Sequence, residues 1–274
     1  MPKSASEIQV WNRALTKIGE TDPIEDETDD RLAAEQCKLH YDDCVLAVFE
    51  SRPWPFATKQ AALSRPSVVD NFTGDGSTTE YALTKGYRAA TEVTVTVGGV
   101  ATTGFTMANA GTLRGSITFD SAPADSAAIV VTYSQQVVGW EYAYTLPTDC
   151  AMPLALLDED QRIAQFNGDD RIPFEVVEDQ SGEWRILCCD YSSSEFEVLE
   201  YTALNEYIPG WPRDFVEAVA WRLGAELALG LKKDLQLHQT CMQWFYASVS
   251  SATASQQNSR HPDPEPDPPS VAIR

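Results

Sequence analysis

The sequence predicts an α+β fold: a four-helix body with a small antiparallel sheet, an inserted all-β domain of sandwich type, and an extended C-terminal tail. Apolar residues recur at helical spacing near both ends of the 274-residue chain, whereas alternating β-branched residues dominate its middle. Helices at both ends most economically bury their apolar stripes against one another. The predicted domains are 1–66 with 137–257 for the helical body, 67–136 for the inserted β-domain and 258–274 for the tail.

Two helices are predicted before residue 54. Ser4 and Glu7 have the spacing of a capping box, and the stripe that follows is Ile8, Trp11, Leu15 and Ile18, before Gly19. The second helix is expected to begin near Thr28 or Asp29, because acidic residues favour the positive end of a helix. Its end is expected at Arg52-Pro53. Its stripe is Ala34, Cys37, Tyr41, Cys44 and Val48.

Residues 67–136 have a different character. Helical periodicity is lost, and eight of the 15 glycines lie here. The strand candidates are 93–97, 117–119 and 129–133, with turn signals such as Gly98-Gly99 between them. Farther along, the alternating segments 142–144, 174–177, 184–187 and 196–201 predict a small, half-buried sheet.

The helical period returns at Pro212, which suits the first turn of a helix. The stripe of this third helix is Phe215, Val219, Leu223, Leu227 and Leu231. Gly230 and Asp234 separate it from a fourth helix, whose stripe is His238, Cys241 or Met242, Phe245 and Val249. The proline-rich, acidic remainder is expected to form an extended, solvated tail.

Charge and composition narrow the function classes. The chain has 43% hydrophobic residues and a net charge of −21, which argues against a disordered chain and against a protein that grips phosphates. Residues 137–274 hold 9 basic and 23 acidic residues, a net charge of −14. This excess serves solubility, or it forms a face past which a polyanion slides. No membrane span and no secretion signal are recognisable, so we expect folding in a cytoplasm.

Candidate catalytic residues are few. The six cysteines are expected to be reduced and structural. His40, His238 and His261 match no catalytic or metal-binding signature. Asp158-Glu159-Asp160 and Asp169-Asp170 would offer paired carboxylates for glycoside hydrolysis, but adjacent acids are commonly solvated surface. We therefore expect a protein that is not an enzyme, with no catalytic residue, no cofactor and no metal.

Several short strings, taken in order, resemble the head-to-tail adaptors of tailed bacteriophages. The branch is that of tail tubular protein A, or tail accessory factor, of short-tailed phages. The strings are 12–15 with 18–20, 41–43 with Val45 and Val48, 52–57, 144–149, 185–190, and 215–223 with 225–228. Within the insert, 72–81, 95–99 and 117–123 resemble a small β-module found in phage tail and fibre proteins.

The resemblance implies a structural role in the virion. Such adaptors form a ring, typically of twelve copies, beneath the portal protein, and the next tail component, a nozzle or tail tube protein, binds below. Genomic DNA passes through the ring without specific binding, so the acidic section would suit the channel. The expected location is the head–tail junction of the virion, after assembly in the host bacterial cytoplasm. The tail would dock on the portal through Val271, Ile273 and Arg274, after a stiff proline spacer.

The alternatives differ in which part of the chain acts. A receptor- or glycan-binding tail protein would act through the β-insert, and a tail-associated hydrolase would use carboxylates such as Asp158 or Asp160. Trp54, Phe56 and Trp140 flank the predicted joint between helices and insert. They are either packed in a core or form an aromatic patch that faces a partner.

Overall fold

The computed structural model describes residues 7–26, 28–137, 139–157, 172–179, 185–196 and 198–257. This part of the chain has four α-helices and several small antiparallel sheets, so the predicted α+β class is confirmed. The helices are α1 (Glu7–Lys17), α2 (Leu32–Glu50), α3 (Arg213–Leu227) and α4 (Leu235–Gln257). The chain divides into two compact units. The helical unit is Met1–Thr58 with Thr202–Arg274, and the β-unit is Lys59–Tyr201.

The strands follow the helix pair α1 and α2 in the chain. They are β1 (Thr58–Ala61), β2 (Ser67–Thr73), β3 (Glu80–Ala82), β4 (Thr94–Val97), β5 (Val100–Ala101), β6 (Phe105–Ala108), β7 (Ser116–Phe119), β8 (Ala128–Ser134), β9 (Tyr142–Thr145), β10 (Cys150–Leu157), β11 (Glu175–Glu178), β12 (Arg185–Cys189) and β13 (Val198–Ala203). Four sheets result, with the strand orders β1-β13-β10, β11-β12-β9, β2-β8-β4-β5 and β3-β7-β6.

Helix α3 is the centre of the helical unit. It contacts α1, α2 and α4, and nine of its residues are buried. Gly224 allows the close approach, because a Cβ at this position would lie 3.4 Å from the Ala14 carbonyl oxygen of α1 and 3.9 Å from the Cys241 Sγ of α4. Phe215 is fully buried at the start of α3. Its ring centroid lies 4.5 Å from that of Phe49 in α2.

Most residues of the predicted apolar stripes are buried, but Ile8, Leu231, His238 and Val249 are only partly buried. One predicted helix boundary was wrong. All five residues of the predicted stripe of α2 are buried. However, α2 begins at Leu32 rather than near Thr28 or Asp29. The Asp29 carboxylate accepts hydrogen bonds from the backbone and side-chain nitrogens of Arg31 at 3.0 Å, so this acid shapes the turn that precedes the helix.

Seven strands between residues 67 and 134 pair among themselves. Strand β2 runs antiparallel to β8, with Ser67 opposite Ser134. Strands β4 and β5 form a hairpin at the predicted Gly98-Gly99 turn, where both residues have positive φ (58° and 80°). The seven strands share a hydrophobic core that includes Ile117, Ile129, Val131 and Tyr133. The predicted boundaries at 66 and 136 differ from the unit boundaries at 58 and 201, and they stay a prediction.

One buried carboxylate organises the interior of these seven strands. Asp70 in β2 is 5% exposed and accepts hydrogen bonds from the Tyr133 hydroxyl (2.8 Å), the Thr84 backbone N–H (2.8 Å) and the Thr84 hydroxyl (2.5 Å). The Tyr133 hydroxyl in turn accepts from the Lys85 backbone N–H at 3.1 Å. A buried charge is tolerable when donors surround it in this way.

An arginine–tyrosine contact joins these strands to the sheet β11-β12-β9 within the β-unit. The guanidinium carbons of Arg65 and Arg88 lie 4.5 and 4.3 Å from the ring centroid of Tyr142 in β9. Glu92 Oε1 accepts from both arginines, at 2.8 and 2.6 Å. Lys85 also pairs with Asp179, at 2.5 Å. These contacts fix the point at which the seven strands leave the remainder of the β-unit.

Truncation of Leu223 to alanine should lower the free energy of unfolding by about 3 kcal/mol, because it opens a cavity in the most buried helix. Leu223 is fully buried, whereas Leu39 in α2 is 65% exposed. The matched change Leu39→Ala should therefore alter stability by less than about 0.5 kcal/mol. Urea unfolding of the two variants measures both values, and equal losses would contradict the central position of α3.

Candidate functional site

A groove in the helical unit is a candidate binding site. It has a volume of about 480 Å³ and lies between the start of α1, the second half of α2 and the segment that leads into α3. We name it the acidic groove. The lining residues are Glu7, Tyr41, Asp42, Asp43, Val45, Leu46, Phe49, Leu204, Asn205, Glu206, Ile208 and Trp211.

Asn205 and Trp211 hold one wall of the acidic groove in place. The Trp211 Nε1–H donates to the Asn205 carbonyl oxygen at 2.7 Å, and the Tyr207 backbone N–H donates to Asn205 Oδ1 at 3.0 Å. The Trp211 ring packs edge-on against Phe49, with 6.1 Å between centroids. The segment 204–211 is thereby fixed to the end of α2.

The charge of the acidic groove is one-sided. Its apolar floor is flanked by the carboxylates of Glu7, Asp42, Asp43 and Glu206, and none of its described lining residues is basic. Asp42, Asp43 and Glu206 are exposed. A ligand that fits this site must therefore combine positive charge with apolar surface.

Tyr41 lines the acidic groove, and its hydroxyl group is unusual for a buried side chain. The side chain is 6% exposed, and its buried hydroxyl has no hydrogen-bond partner within the described ranges. Burial raises the pKa of Tyr41, and the negative charges of Glu7 and Asp42 raise it further. The neighbouring Trp11 indole N–H is also buried without a partner among these residues, and the two rings meet edge to face at 6.1 Å.

A second surface lies at the turn between α3 and α4. Residues Ala228–Lys232 form a π-helical turn, and Lys233 then adopts a left-handed conformation with φ 53°. The turn exposes Leu229 (39%) and Leu235 (61%). We call Leu229, Lys232, Lys233 and Leu235 the basic corner. Within it, the Lys232 ammonium pairs with Glu20 at 2.8 Å.

The cysteines and His238, which are further candidates within the described residues, have structural roles. All six cysteines are free, and burial raises the pKa of Cys37 and Cys44 to about 12, which leaves both thiols protonated. His238 makes a hydrogen bond through Nδ1 to the Ala225 carbonyl oxygen at 2.8 Å. The described residues contain no group of three or more potential metal ligands. They also contain no helix long and apolar enough to span a membrane.

The predicted site residues lie in different places. Trp54 is fully buried and packs with Phe56 in the aromatic core of the helical unit, where its ring lies 4.9 Å from that of Phe215. Trp140 belongs to the β-unit, is partly buried, and donates through Nε1 to Glu175 at 3.1 Å. Val271, Ile273 and Arg274 lie outside the described residues, as do Asp158, Asp160, Asp169, Asp170 and His261.

The acidic groove and the basic corner were not found from the sequence. The available signal was a tyrosine on a buried stripe, followed directly by Asp42-Asp43. That signal alone also fits a solvated helix face. Recognition of the groove needs the segment 204–211, which is remote in sequence and has no periodic pattern.

No protein-family model matches the chain, and a comparison with curated proteins finds no match.

Two tyrosine-to-phenylalanine changes should have opposite effects. Tyr41→Phe removes a hydroxyl without a described partner, so stability should stay unchanged or rise by up to about 1 kcal/mol. Tyr133→Phe removes a donor to buried Asp70, so it should cost about 1–2 kcal/mol. Urea unfolding at pH 7 measures both changes. A clear loss in Tyr41→Phe would indicate a hydrogen-bond partner for Tyr41.

Both variants should also differ from the parent in their stability at alkaline pH. Burial raises the folded-state pKa of Tyr41, and it raises that of Tyr133 to about 12. In the unfolded chain the two tyrosines lose their protons first, near pH 10. The stability that comes from keeping them protonated in the fold is therefore present below that pH, and it is lost as the pH rises toward the folded-state pKa. Each variant should therefore lose less stability than the parent above about pH 10.

Proposed function

We propose that this chain is a structural virion protein, a head-to-tail adaptor that forms a ring beneath the portal and joins it to the tail. One observation carries the proposal. Two strings that resemble this family, 52–57 and 215–223, are far apart in sequence but pack together. The rings of Trp54 and Phe56 lie 4.9 and 5.1 Å from that of Phe215. The resemblance thus extends over residues that form one core.

The charge distribution supports the same proposal. Residues 137–274 carry a net charge of −14, and an acidic wall repels the phosphates of passing DNA. The partners would be the portal protein, the next tail component (nozzle or tail tube protein) and further copies of this chain, with twelve copies in the ring. The place of action would be the head–tail junction of the virion.

A second candidate function concerns the seven strands between 67 and 134. These strands expose three apolar side chains, Val69 (50%), Val100 (71%) and Leu113 (47%). Exposed apolar groups on a small β-module suit contact with a receptor, a glycan or another tail protein. In this alternative the helical unit would only bring copies together.

Loss of the C-terminal tail should abolish binding to the portal protein encoded by the same genome. Val271→Asp with Ile273→Asp keeps the length and the proline spacer but removes two apolar anchors. This pair should weaken binding by about 100-fold, at about 1.5 kcal/mol for each buried side chain. Native mass spectrometry of portal mixtures gives the bound copies. Undiminished binding after removal of 258–274 would contradict portal docking through the tail.

Removal of 67–134 separates the two candidate functions. Ser67 and Ser134 are opposite each other across β2 and β8, so a short glycine linker can join residues 66 and 135. An adaptor should still bind the portal ring with unchanged copy number and within about threefold of the parental affinity. Binding to host cells by virions that carry the deletion is the second measurement. Portal binding lost in a folded deletion variant would count against the adaptor proposal.

A further inference from the structure

The acidic groove carries negative charge on two different chain segments, with apolar side chains in its floor. Asp42 and Asp43 stand on the wall formed by α2, and Glu206 stands on the wall formed by the segment 204–211. All three are exposed, and none forms an ion pair with another described residue. The apolar lining consists of Val45, Leu46, Phe49, Leu204, Ile208 and Trp211.

Basic residues of the neighbouring helices are engaged elsewhere. Lys38 is the one lysine of α2, and its ammonium donates to the Asp29 carbonyl oxygen at 3.3 Å. Arg13 and Lys17 of α1 pair with Glu217 of α3 at 3.4 and 2.7 Å. The carboxylates of the groove are therefore available to a cation that comes from solution.

Tyr41 is a second and independent indication of a ligand. Its side chain lines the groove and is 6% exposed, and its hydroxyl has no hydrogen-bond partner among the described residues. A buried hydroxyl without a partner costs free energy. The phenol oxygen can accept a hydrogen bond, so an N–H donor that enters the groove would remove this cost.

Carboxylates on two walls require a ligand with more than one positive charge. A single ammonium group pairs with one wall and leaves the other without a partner. A metal ion such as Mg²⁺ keeps several of its water molecules, so it gains nothing from an apolar floor. A chain of methylene groups that carries several ammonium groups pairs with both walls, and its methylene groups leave water at the floor. The volume of about 480 Å³ suits a small molecule.

We propose that the acidic groove binds a linear aliphatic polyamine, a chain of methylene groups with two or more ammonium groups. One ammonium group lies at the wall of Asp42 and Asp43, and another lies at Glu206. An N–H group of the ligand donates to the Tyr41 hydroxyl oxygen, and the methylene groups lie on the apolar floor. This site goes beyond the proposed function and does not depend on it.

The acidic loop before α2 shows that negative charge alone does not make such a site. Its surface depression is lined by Asp22, Pro23, Glu25, Asp26, Thr28, Asp29, Asp30 and Arg31. Arg31 pairs there with both Asp22 and Asp29. A polyamine would meet charge that is already compensated in part, and no apolar floor. Acids outside the groove therefore serve as the comparison in the experiments.

Isothermal titration of the full-length chain with spermidine measures the affinity and the number of sites. In about 0.15 M salt, which limits the reach of the net charge to about 8 Å, we expect one site per chain with a Kd of about 0.1 mM or tighter. Mg²⁺ is a cation without methylene groups, and phenethylamine is an apolar monocation. Each should bind at least about tenfold more weakly. No spermidine binding, or equal binding of either comparison cation, would overturn the proposal.

Charge-removing variants test where spermidine binds. The pair Asp43→Asn with Glu206→Gln takes one carboxylate from each wall and should weaken binding by about tenfold or more. The matched pair Asp30→Asn with Glu35→Gln removes the same charge from exposed acids outside the groove. Its affinity should stay within about twofold of the parent. Equal losses in the two pairs would indicate attraction to the net charge alone and would overturn the site.

Two further variants test the floor and the buried hydroxyl. Leu46 lines the groove, whereas Leu39, two turns earlier on α2, is 65% exposed and lies outside it. Leu46→Gln should weaken spermidine binding by about fivefold, and the matched Leu39→Gln should leave it unchanged. Tyr41→Phe should weaken binding by about threefold without a lower thermal midpoint. Parental affinity in Leu46→Gln or in Tyr41→Phe would overturn the placement of the ligand.

The failure of this inference can be distinguished from that of the proposed function. A chain that binds the portal ring but not spermidine would overturn the polyamine site and leave the adaptor role in place. A chain that binds spermidine in the groove but does not bind the portal would uphold the site and count against the adaptor role.

Discussion

The packing around Phe215 is the constraint on which the helical unit depends. Its ring contacts Phe49 and Trp54 from the first part of the chain, and Trp211 from the last, at 4.5, 4.9 and 4.8 Å between centroids. Aromatic pairs of this geometry add about 0.5–1.5 kcal/mol each beyond the burial of their area. The whole of Lys59–Tyr201 lies between these two parts in sequence. Because loop-closure entropy grows only with the logarithm of loop length, a large insertion is compatible with this core.

Charged residues are distributed unevenly over the surface of the helical unit. Several basic residues are already paired: Lys17 with Glu217 at 2.7 Å, and Lys232 with Glu20 at 2.8 Å. The described lining residues of the acidic groove include four acidic side chains and no basic one. Two copies with a net charge of −21 repel each other at distances beyond about 8 Å only weakly in physiological salt.

The periodic parts of the fold could be predicted from the sequence, and the non-periodic parts could not. The stripes of α2 and α3 identified buried faces because tertiary packing follows the helical period. Strand β10 was missed because Cys150–Leu157 has no alternation and contains Pro153, which is uncommon within a strand. The start of α2 was placed too early because Asp29 binds Arg31 in the preceding turn. Local side-chain hydrogen bonds of this kind compete with helix formation.

The candidate site combines features that local sequence patterns do not contain. Phe49 and Tyr41 line a groove only because the segment that contains Asn205 and Trp211 packs against the end of α2. Lys233 illustrates the same limit at the basic corner. A lysine between helices indicates an ordinary solvated turn, and only its positive φ reveals that the backbone is strained there. The same conformation also serves the fold, because the backbone N–H of this left-handed residue donates to the Ala228 carbonyl oxygen and so caps the end of the helix.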